Sequence, residues 1–187
     1  ADPRYWYRAK VFSSFADILG GVLHRGLVNV GFLGGLEVDQ YGNLNTTLVG
    51  DPKGSFRHMV GSGGANDIAS SALDTIIIMR HEARKLKEKI SFNTSPGYLD
   101  GGDSRAKAGL IGGPRCVITD KAVFGFHPET KRMQLETIHP GNTIEDVLSN
   151  MSFKPDMPDT VPFTEPPTKE QIQLIREKLD PRKLYTS

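Results

Sequence analysis

Residues 60–79 read Val-Gly-Ser-Gly-Gly-Ala-Asn-Asp-Ile-Ala-Ser-Ser-Ala-Leu-Asp-Thr-Ile-Ile-Ile-Met, a glycine-rich turn followed by two apolar runs. Thr75–Met79 is β-branched and apolar, which is typical of a strand in the centre of a sheet. Asp67–Ala72 is expected to form one or two helical turns. Strands that alternate with helices in this way predict an open α/β sheet, in which ligands lie beyond the carboxyl ends of strands.

Size and composition indicate one α/β domain over residues 1–187. Hydrophobic residues make up 37% of the chain, charged residues 24%, and the formal net charge is +1. This balance gives no electrostatic reason to expect nucleic acid or an anionic membrane as a partner. No apolar stretch approaches the roughly 20 residues of a membrane span. Cys116, the single cysteine, cannot form an internal disulfide, so a reducing, cytoplasmic location is expected.

Several short apolar or alternating runs predict the remaining strands. We expect an open, mostly parallel, Rossmann-like sheet with helices on both faces. The runs are Leu27–Phe32, Leu36–Asp39 with Leu44–Val49 as a hairpin-like pair, Cys116–Thr119, Ala122–Phe126 and Arg132–His139.

Helix signals lie near both ends of the chain. Ser14 is placed to cap a helix that runs to about His24. Capping-box patterns at Thr143 and Thr168 predict two further helices. Pro155–Pro167 holds five prolines and predicts an extended linker, so residues 155–187 are interpreted as a proline-rich arm with a C-terminal helix. The charge-dense segment Arg80–Lys89 is expected to be a solvated connection.

The glycine-rich turn is the strongest candidate for a binding site. Gly61, Gly63 and Gly64 allow backbone conformations that other residues avoid, and a turn of this kind exposes unpaired N–H groups. Such groups suit a phosphate, a carboxylate or a developing oxyanion. A tight turn without a ligand is the alternative. Gly34-Gly35, at the end of a predicted strand, is a second point where a ligand could approach.

Other reactive side chains give weaker signals. The five histidines show no metal-ligand spacing, so no metal site is predicted. Ser62 lacks the strand, histidine and acid that a hydrolase nucleophile needs. Glu37 and Asp39 share one face of an extended stretch, where a solvent-facing edge is favoured over a coupled pair. His81-Glu82 is interpreted as a polar strand exit rather than a site pair.

Taken together, seven stretches resemble the β subunit of type I CoA-transferases, the glutaconate CoA-transferase branch above all. The resemblance covers nearly the whole chain from about Val30 onward. The stretches are Phe32–Asn45, Gly61–Asn66, Thr75–Glu82, Thr94–Gly101, Val117–Lys121, Glu145–Leu148 and Leu174–Pro181.

The resemblance implies an enzyme of α-type and β-type subunits that moves CoA between carboxylates. In this family a glutamate of the β subunit attacks the acyl-CoA thioester and becomes a glutamyl-CoA thioester. It implies coenzyme A as a substrate and no tightly bound cofactor. It assigns the backbone of Gly63, Gly64 and Ala65 to an oxyanion loop, and it assigns substrate and CoA binding to Gly34, Gly35, Gly61, Ser62 and Asn66.

The sequence departs from the family at the nucleophile. The family glutamate sits in a Glu-Ser-Gly or Glu-Asn-Gly motif upstream of the loop, and here Glu37 is the only glutamate before the loop. We therefore interpret the chain as the C-terminal two-thirds of a β subunit, without its N-terminal third. The glutamate is expected on another polypeptide or on that segment. Acyl-CoA hydrolysis or decarboxylation on the same scaffold, and a non-catalytic subunit that docks through Tyr5-Trp6-Tyr7 and the arm, are the alternatives.

Overall fold

The computed structural model describes residues 7, 9–51 and 53–185, so Tyr5 and Trp6 of the aromatic cluster lie outside the described residues. The strands of this part are β1 (Val30–Leu33), β2 (Glu37–Asp39), β3 (Leu44–Asn45), β4 (Leu48–Gly50), β5 (Phe56–His58), β6 (Asp74–Ile78), β7 (Leu86–Lys87), β8 (Gly113–Ile118), β9 (Ala122–Phe126) and β10 (Met133–Ile138). The helices are α1 (Ala65–Ser71), α2 (Ser104–Lys107), α3 (Ile144–Leu148) and α4 (Lys169–Gln173), with π-helical segments at Asp17–Leu23 and Leu174–Leu179.

The main sheet has the strand order β1-β6-β8-β9-β10. Its first three strands are parallel, and β8, β9 and β10 form an antiparallel meander. The predicted α/β class is confirmed, and the sheet is mixed rather than mostly parallel. The reason lies in the connections, because the turns at 119–121 and 127–132 are too short for a crossover between parallel strands.

Smaller sheets surround the main one. The predicted hairpin is confirmed, since Glu37 and Val38 pair antiparallel with Asn45 and Leu44. The expectation that Arg80–Lys89 is merely a solvated connection is wrong. Its central part forms β7, which pairs with β2, and Leu86 is fully buried. The prediction failed because it rested on the number of charged residues. A single apolar side chain, Leu86, is enough to pack this segment against the core.

The helix signals are confirmed where the caps form. Thr143 and Thr168 each accept a hydrogen bond from the backbone three residues on, and each capping box is complete. The Ser14 hydroxyl accepts from the N–H of Asp17 at 3.1 Å, and the predicted helix follows in π-helical form.

The first part of the proline-rich arm is hydrogen-bonded along the outer edge of β10. Leu135 donates its N–H to the carbonyl of Asp156 at 2.8 Å, and the N–H of Asp156 donates back to Met133 at 2.9 Å. Farther along, the N–H of Thr164 donates to Ile138 at 2.8 Å. The helix that follows leaves Leu174 46% exposed.

The two faces of the main sheet differ. Helix α1 covers one face, where a Cβ at Gly31 would overlap the side chain of Ile68. On the opposite face Phe32 is 66% exposed and Ile78 53% exposed. Phe32 pairs with Ile76, two residues before Ile78, so these apolar side chains form one continuous surface.

A buried arginine joins the loops around α1. Arg105 is 3% exposed, and its guanidinium donates to the carbonyls of Ala69 at 2.6 Å, Gly97 at 2.8 Å and Gly112 at 3.0 Å. It also donates to the carbonyls of Pro96 and Ile111. Burial lowers the pKa of this guanidinium from its usual value. Arg105 therefore ties the loops at 96–97 and 111–112 to α1.

Replacing Arg105 with methionine should lower the free energy of unfolding by about 3 kcal/mol, because several buried carbonyls lose their donor. Urea unfolding of the purified protein measures the change. Lys107→Met is the matched control, since the Lys107 side chain is 75% exposed on the same helix, and it should change stability by no more than about 0.5 kcal/mol. Equal effects of the two substitutions would contradict the role of Arg105.

Candidate functional site

The glycine loop, residues 60–66, connects β5 to α1. Gly61 has φ of 81° and Gly63 has φ of 50°, which are backbone conformations that side chains other than glycine rarely adopt. Gly64 follows with φ of −87°, and α1 begins at Ala65. A positive φ followed by a negative φ is the backbone arrangement in which neighbouring N–H groups can point to the same side and bind an anion.

Two neighbouring segments hold the loop in place. Thr46 donates its hydroxyl to the carbonyl of Gly61 at 2.7 Å, and the N–H of Gly61 donates to the carbonyl of Thr46 at 3.0 Å. Asn66 donates its side-chain amide to the carbonyl of Thr94 at 2.8 Å. In this structure Asn66 is therefore an anchor of the loop, and the Thr94–Gly101 stretch forms its support.

The loop offers two unoccupied donors. Among the described residues, no acceptor takes the N–H of Gly63 or Gly64. The N–H of Ala65 donates to the carbonyl of Ser62 at 2.9 Å, and the Ser62 hydroxyl donates to the carbonyl of Gly63. The three N–H groups assigned to the oxyanion loop therefore differ, since only those of Gly63 and Gly64 have no acceptor among the described residues.

Gly34 and Gly35 lie just past the carboxyl end of β1, as the sequence predicts. A Cβ at Gly35 would lie 2.9 Å from the Leu44 side chain and 3.3 Å from the carbonyl of Glu37, so packing alone requires glycine there. Gly34 is exposed, and a Cβ there would make an ordinary contact of 3.5 Å with the carbonyl of Ile78. Gly34 therefore stays accessible to a ligand.

The expectation that Glu37 and Asp39 face solvent is wrong. Glu37 is 3% exposed and accepts hydrogen bonds from Asn45 at 2.7 Å and from the N–H of Ser91 at 2.8 Å. Asp39 is 6% exposed and accepts from Asn43, while burial raises the pKa of its carboxyl. Both carboxylates are buried because hydrogen-bond donors satisfy them, from Asn45 and Ser91 for Glu37 and from the adjoining turn for Asp39.

His81 lies three residues past β6 and is a core residue, 4% exposed, rather than a polar exit of the strand. Its ring nitrogens lie 3.0 Å from the Thr119 hydroxyl and 2.9 Å from the carbonyl of Val147, and the ring stacks on Phe124. Burial lowers the pKa of His81, because the charged form of the ring is costly to bury.

A contact missed by sequence reasoning lies beside the loop. The Nε2 atom of His24 is 2.9 Å from the Asp67 carboxylate, which is part of α1. Both side chains line a cavity of about 400 Å³ together with Asn66 and Ser70. Because 43 residues separate His24 from Asp67, no local spacing could have indicated the pair.

Metal-ligating clusters and membrane-spanning helices are both absent from residues 7, 9–51 and 53–185. This part of the chain contains no group of three histidine, cysteine, aspartate or glutamate side chains placed to hold a metal ion. None of its helices has the length and apolar character to cross a bilayer.

Comparison with known proteins identifies the family. The model of the coenzyme A transferase family matches residues 5–150. The chain belongs to the coenzyme A transferase family. It is 42% identical over 165 residues to the B subunit of glutaconate CoA-transferase from Acidaminococcus fermentans, which covers 87% of this chain and 61% of that protein. It is 36% identical over 155 residues to the B subunit of 3-oxoadipate CoA-transferase from Pseudomonas knackmussii, covering 82% of this chain and 60% of that protein.

A solved structure supports the same placement in the coenzyme A transferase family. The crystal structure of glutaconate coenzyme A-transferase from Acidaminococcus fermentans matches with a TM-score of 0.87 and 37% identity, over 97% of this chain and 72% of that chain. The resemblance inferred from the sequence motifs is thereby confirmed. The chain spans about 60% of the length of the curated relatives it matches.

Proposed function

We propose that the chain is a β-type subunit of a CoA-transferase that moves CoA between an acyl-CoA and a mono- or dicarboxylic acid. The observation that carries the proposal is the anchored glycine loop, whose Gly63 and Gly64 N–H groups are unoccupied in a chain of this family. The nucleophilic glutamate is supplied by another polypeptide or by a segment beyond these 187 residues. The single cysteine supports a cytoplasmic location for this reaction.

The proposed reaction passes through two kinds of covalent intermediate, a mixed anhydride and a glutamyl-CoA thioester. The glutamate carboxylate attacks the thioester carbonyl, the CoA thiolate leaves, and a mixed anhydride forms. The thiolate then attacks the glutamyl carbonyl, which releases the first carboxylate and leaves a glutamyl-CoA thioester. The acceptor carboxylate repeats both steps in reverse order and leaves as the new acyl-CoA.

In each attack the carbonyl oxygen becomes an oxyanion. Two backbone N–H groups held in advance stabilise this charge, and donors of this kind contribute roughly 100-fold to 1000-fold each to turnover in enzymes. Gly63 and Gly64 are the donors in this role, and Ala65 can join them only after it releases the Ser62 carbonyl. Gly61, Ser62, Gly34 and Gly35 are proposed to border the thioester and CoA, with Asn66 holding the loop toward them.

Covalent labelling tests the chemistry. The chain is purified with its co-expressed neighbours, incubated with acyl-CoA and treated with borohydride. We expect one glutamate in the complex to carry a CoA thioester and to be reduced by borohydride, as detected by peptide mass spectrometry. Absence of any modified glutamate, or release of free CoA or carbon dioxide without an acceptor acid, would contradict transfer and favour hydrolysis or decarboxylation.

Gly64→Val tests the loop within the same complex. The φ of Gly64 suits any residue, and a Cβ there would lie 3.7 Å from Phe15, so the variant should fold. Its branched side chain should screen the two N–H groups and lower kcat at least about 100-fold. Gly20→Val, whose Cβ would meet nothing within 4 Å, is the control and should keep normal turnover. Normal turnover by Gly64→Val would contradict the assignment of the loop to the reacting carbonyl.

We also propose that the complex contains an α-type subunit and a polypeptide segment that supplies the rest of the β-subunit fold. Both curated relatives are named as B subunits. The face of the main sheet that carries Phe32 and Ile78 supports the second partner, because sheets with parallel strands are normally covered on both faces. The surface formed by Phe32, Ile76 and Ile78 is where that segment is proposed to pack.

Phe32→Asp should prevent co-purification of the segment that supplies the rest of the β-subunit fold, because a carboxylate would be buried without a partner in the interface. Phe163→Asp is the control, since Phe163 is 67% exposed and lies on the arm beside β10. Pull-down of the tagged chain followed by mass spectrometry gives the composition of each complex. Full recovery of the complex with Phe32→Asp, or its loss with Phe163→Asp alone, would contradict this placement.

A further inference from the structure

A cavity of about 420 Å³ lies between the β4–β5 hairpin and the turn before β7. Its wall combines cations with apolar side chains, a composition typical of sites for an anionic ligand that has an apolar part. The cations are Arg57, Arg84 and Lys85, and the apolar members are Leu36, Val49 and Met59.

The strand register explains why these side chains converge. Val49 pairs directly with Arg57 across the hairpin, so both side chains project from the same face of the ribbon. Met59 lies two residues beyond Arg57 and continues that face. The opposite wall is fixed by the N–H of Val38, which donates to the carbonyl of Lys85 at 2.8 Å. The cavity is thus built on hydrogen-bonded backbone on both sides.

The charges of the cavity are only partly balanced. Glu82 binds Arg84 at 2.5 Å and Lys85 at 3.3 Å. The Glu37 carboxylate also borders the cavity, but Asn45 and Ser91 already bind it. In the described part of the chain, no carboxylate lies within ion-pair distance of Arg57. Arg57 is therefore a cation without a counter-ion among the described residues, beside the apolar side chains of Val49 and Met59.

The cavity adjoins the glycine loop. Met59 donates its N–H to Thr47 at 2.8 Å, and Gly61 donates to Thr46 at 3.0 Å, so the chain leaves the cavity directly into the loop. Six residues separate Arg57 from Gly63, a path that spans at most about 20 Å when fully extended. An extended pantetheine arm can bridge a distance of this size between a thioester and the phosphates of CoA.

We propose that this cavity binds the phosphorylated nucleotide end of the acyl-CoA, with Arg57 as the principal phosphate ligand and Lys85 as the second. Guanidinium groups bind phosphate oxygens through two parallel hydrogen bonds, and the planar group also stacks on a base. Leu36, Val49 and Met59 provide the apolar surface for the adenine. The assignment rests on the proposed function, because it names where the rest of the same substrate lies.

Adenosine 3′,5′-bisphosphate tests the cavity without the thioester. Calorimetry with the purified complex should show binding, and Arg57→Ala should weaken it about tenfold or more, since a charge-assisted contact is lost. Glu82→Gln should strengthen binding several-fold, because Arg84 and Lys85 lose their competing carboxylate. Arg176→Ala, which removes an exposed cation from the C-terminal helix, should leave the affinity unchanged.

Kinetics separate this assignment from the proposed reaction. With acyl-CoA, Arg57→Ala should raise KM about tenfold and leave kcat unchanged, whereas KM for an acyl-pantetheine should not change. The assignment is overturned if the wild type does not bind the nucleotide or if Arg57→Ala binds it with unaltered affinity. It is also overturned if Arg176→Ala loses as much affinity as Arg57→Ala. If the nucleotide binds as expected and no glutamate is labelled, the cavity assignment stands and transferase chemistry fails.

Discussion

The buried guanidinium of Arg105 is the interaction on which the arrangement around the site depends. A charged group this deeply buried is stable only if polar partners replace its water, and backbone carbonyls from three segments do so here. The same bonds satisfy carbonyls that have no strand partner. Because Ala69 belongs to α1 and Gly97 to the loop that follows Thr94, Arg105 fixes the distance between the helix after the glycine loop and the segment that anchors Asn66.

Local signals predicted the elements whose cause is local. The β-branched run of β6 and the capping boxes of α3 and α4 need only neighbouring residues to form, and each is present. The motif set also identified the family, since residue order carries that information. The burial of Glu37 and the strand at Leu86 depend on what distant segments supply. Arg105 stood in a stretch without periodicity, where its five carbonyl acceptors left no signal.

The candidate site shows a comparable division. The positions of the glycines could be read directly, because positive φ at Gly61 and Gly63 requires that residue type. The sequence could not show which N–H groups remain free, since the N–H of Ala65 donates to a carbonyl of its own turn. The sequence could not predict the cationic cavity either. Its walls come from stretches about 25 residues apart in sequence, which meet only through β-sheet register. The described residues thus place free backbone donors and cations on adjoining segments of the chain.

The arm beside β10 also determines at which edge the main sheet can accept another strand. An uncovered edge strand presents a row of free N–H and C=O groups that can recruit any extended chain. Residues 156–164 occupy that row at several points along β10, so the sheet is closed to further strands on this side. The edge that remains is β1, next to the exposed surface of Phe32 and Ile78. A strand added to this sheet would therefore pair with β1, and self-pairing of β10 between copies is disfavoured.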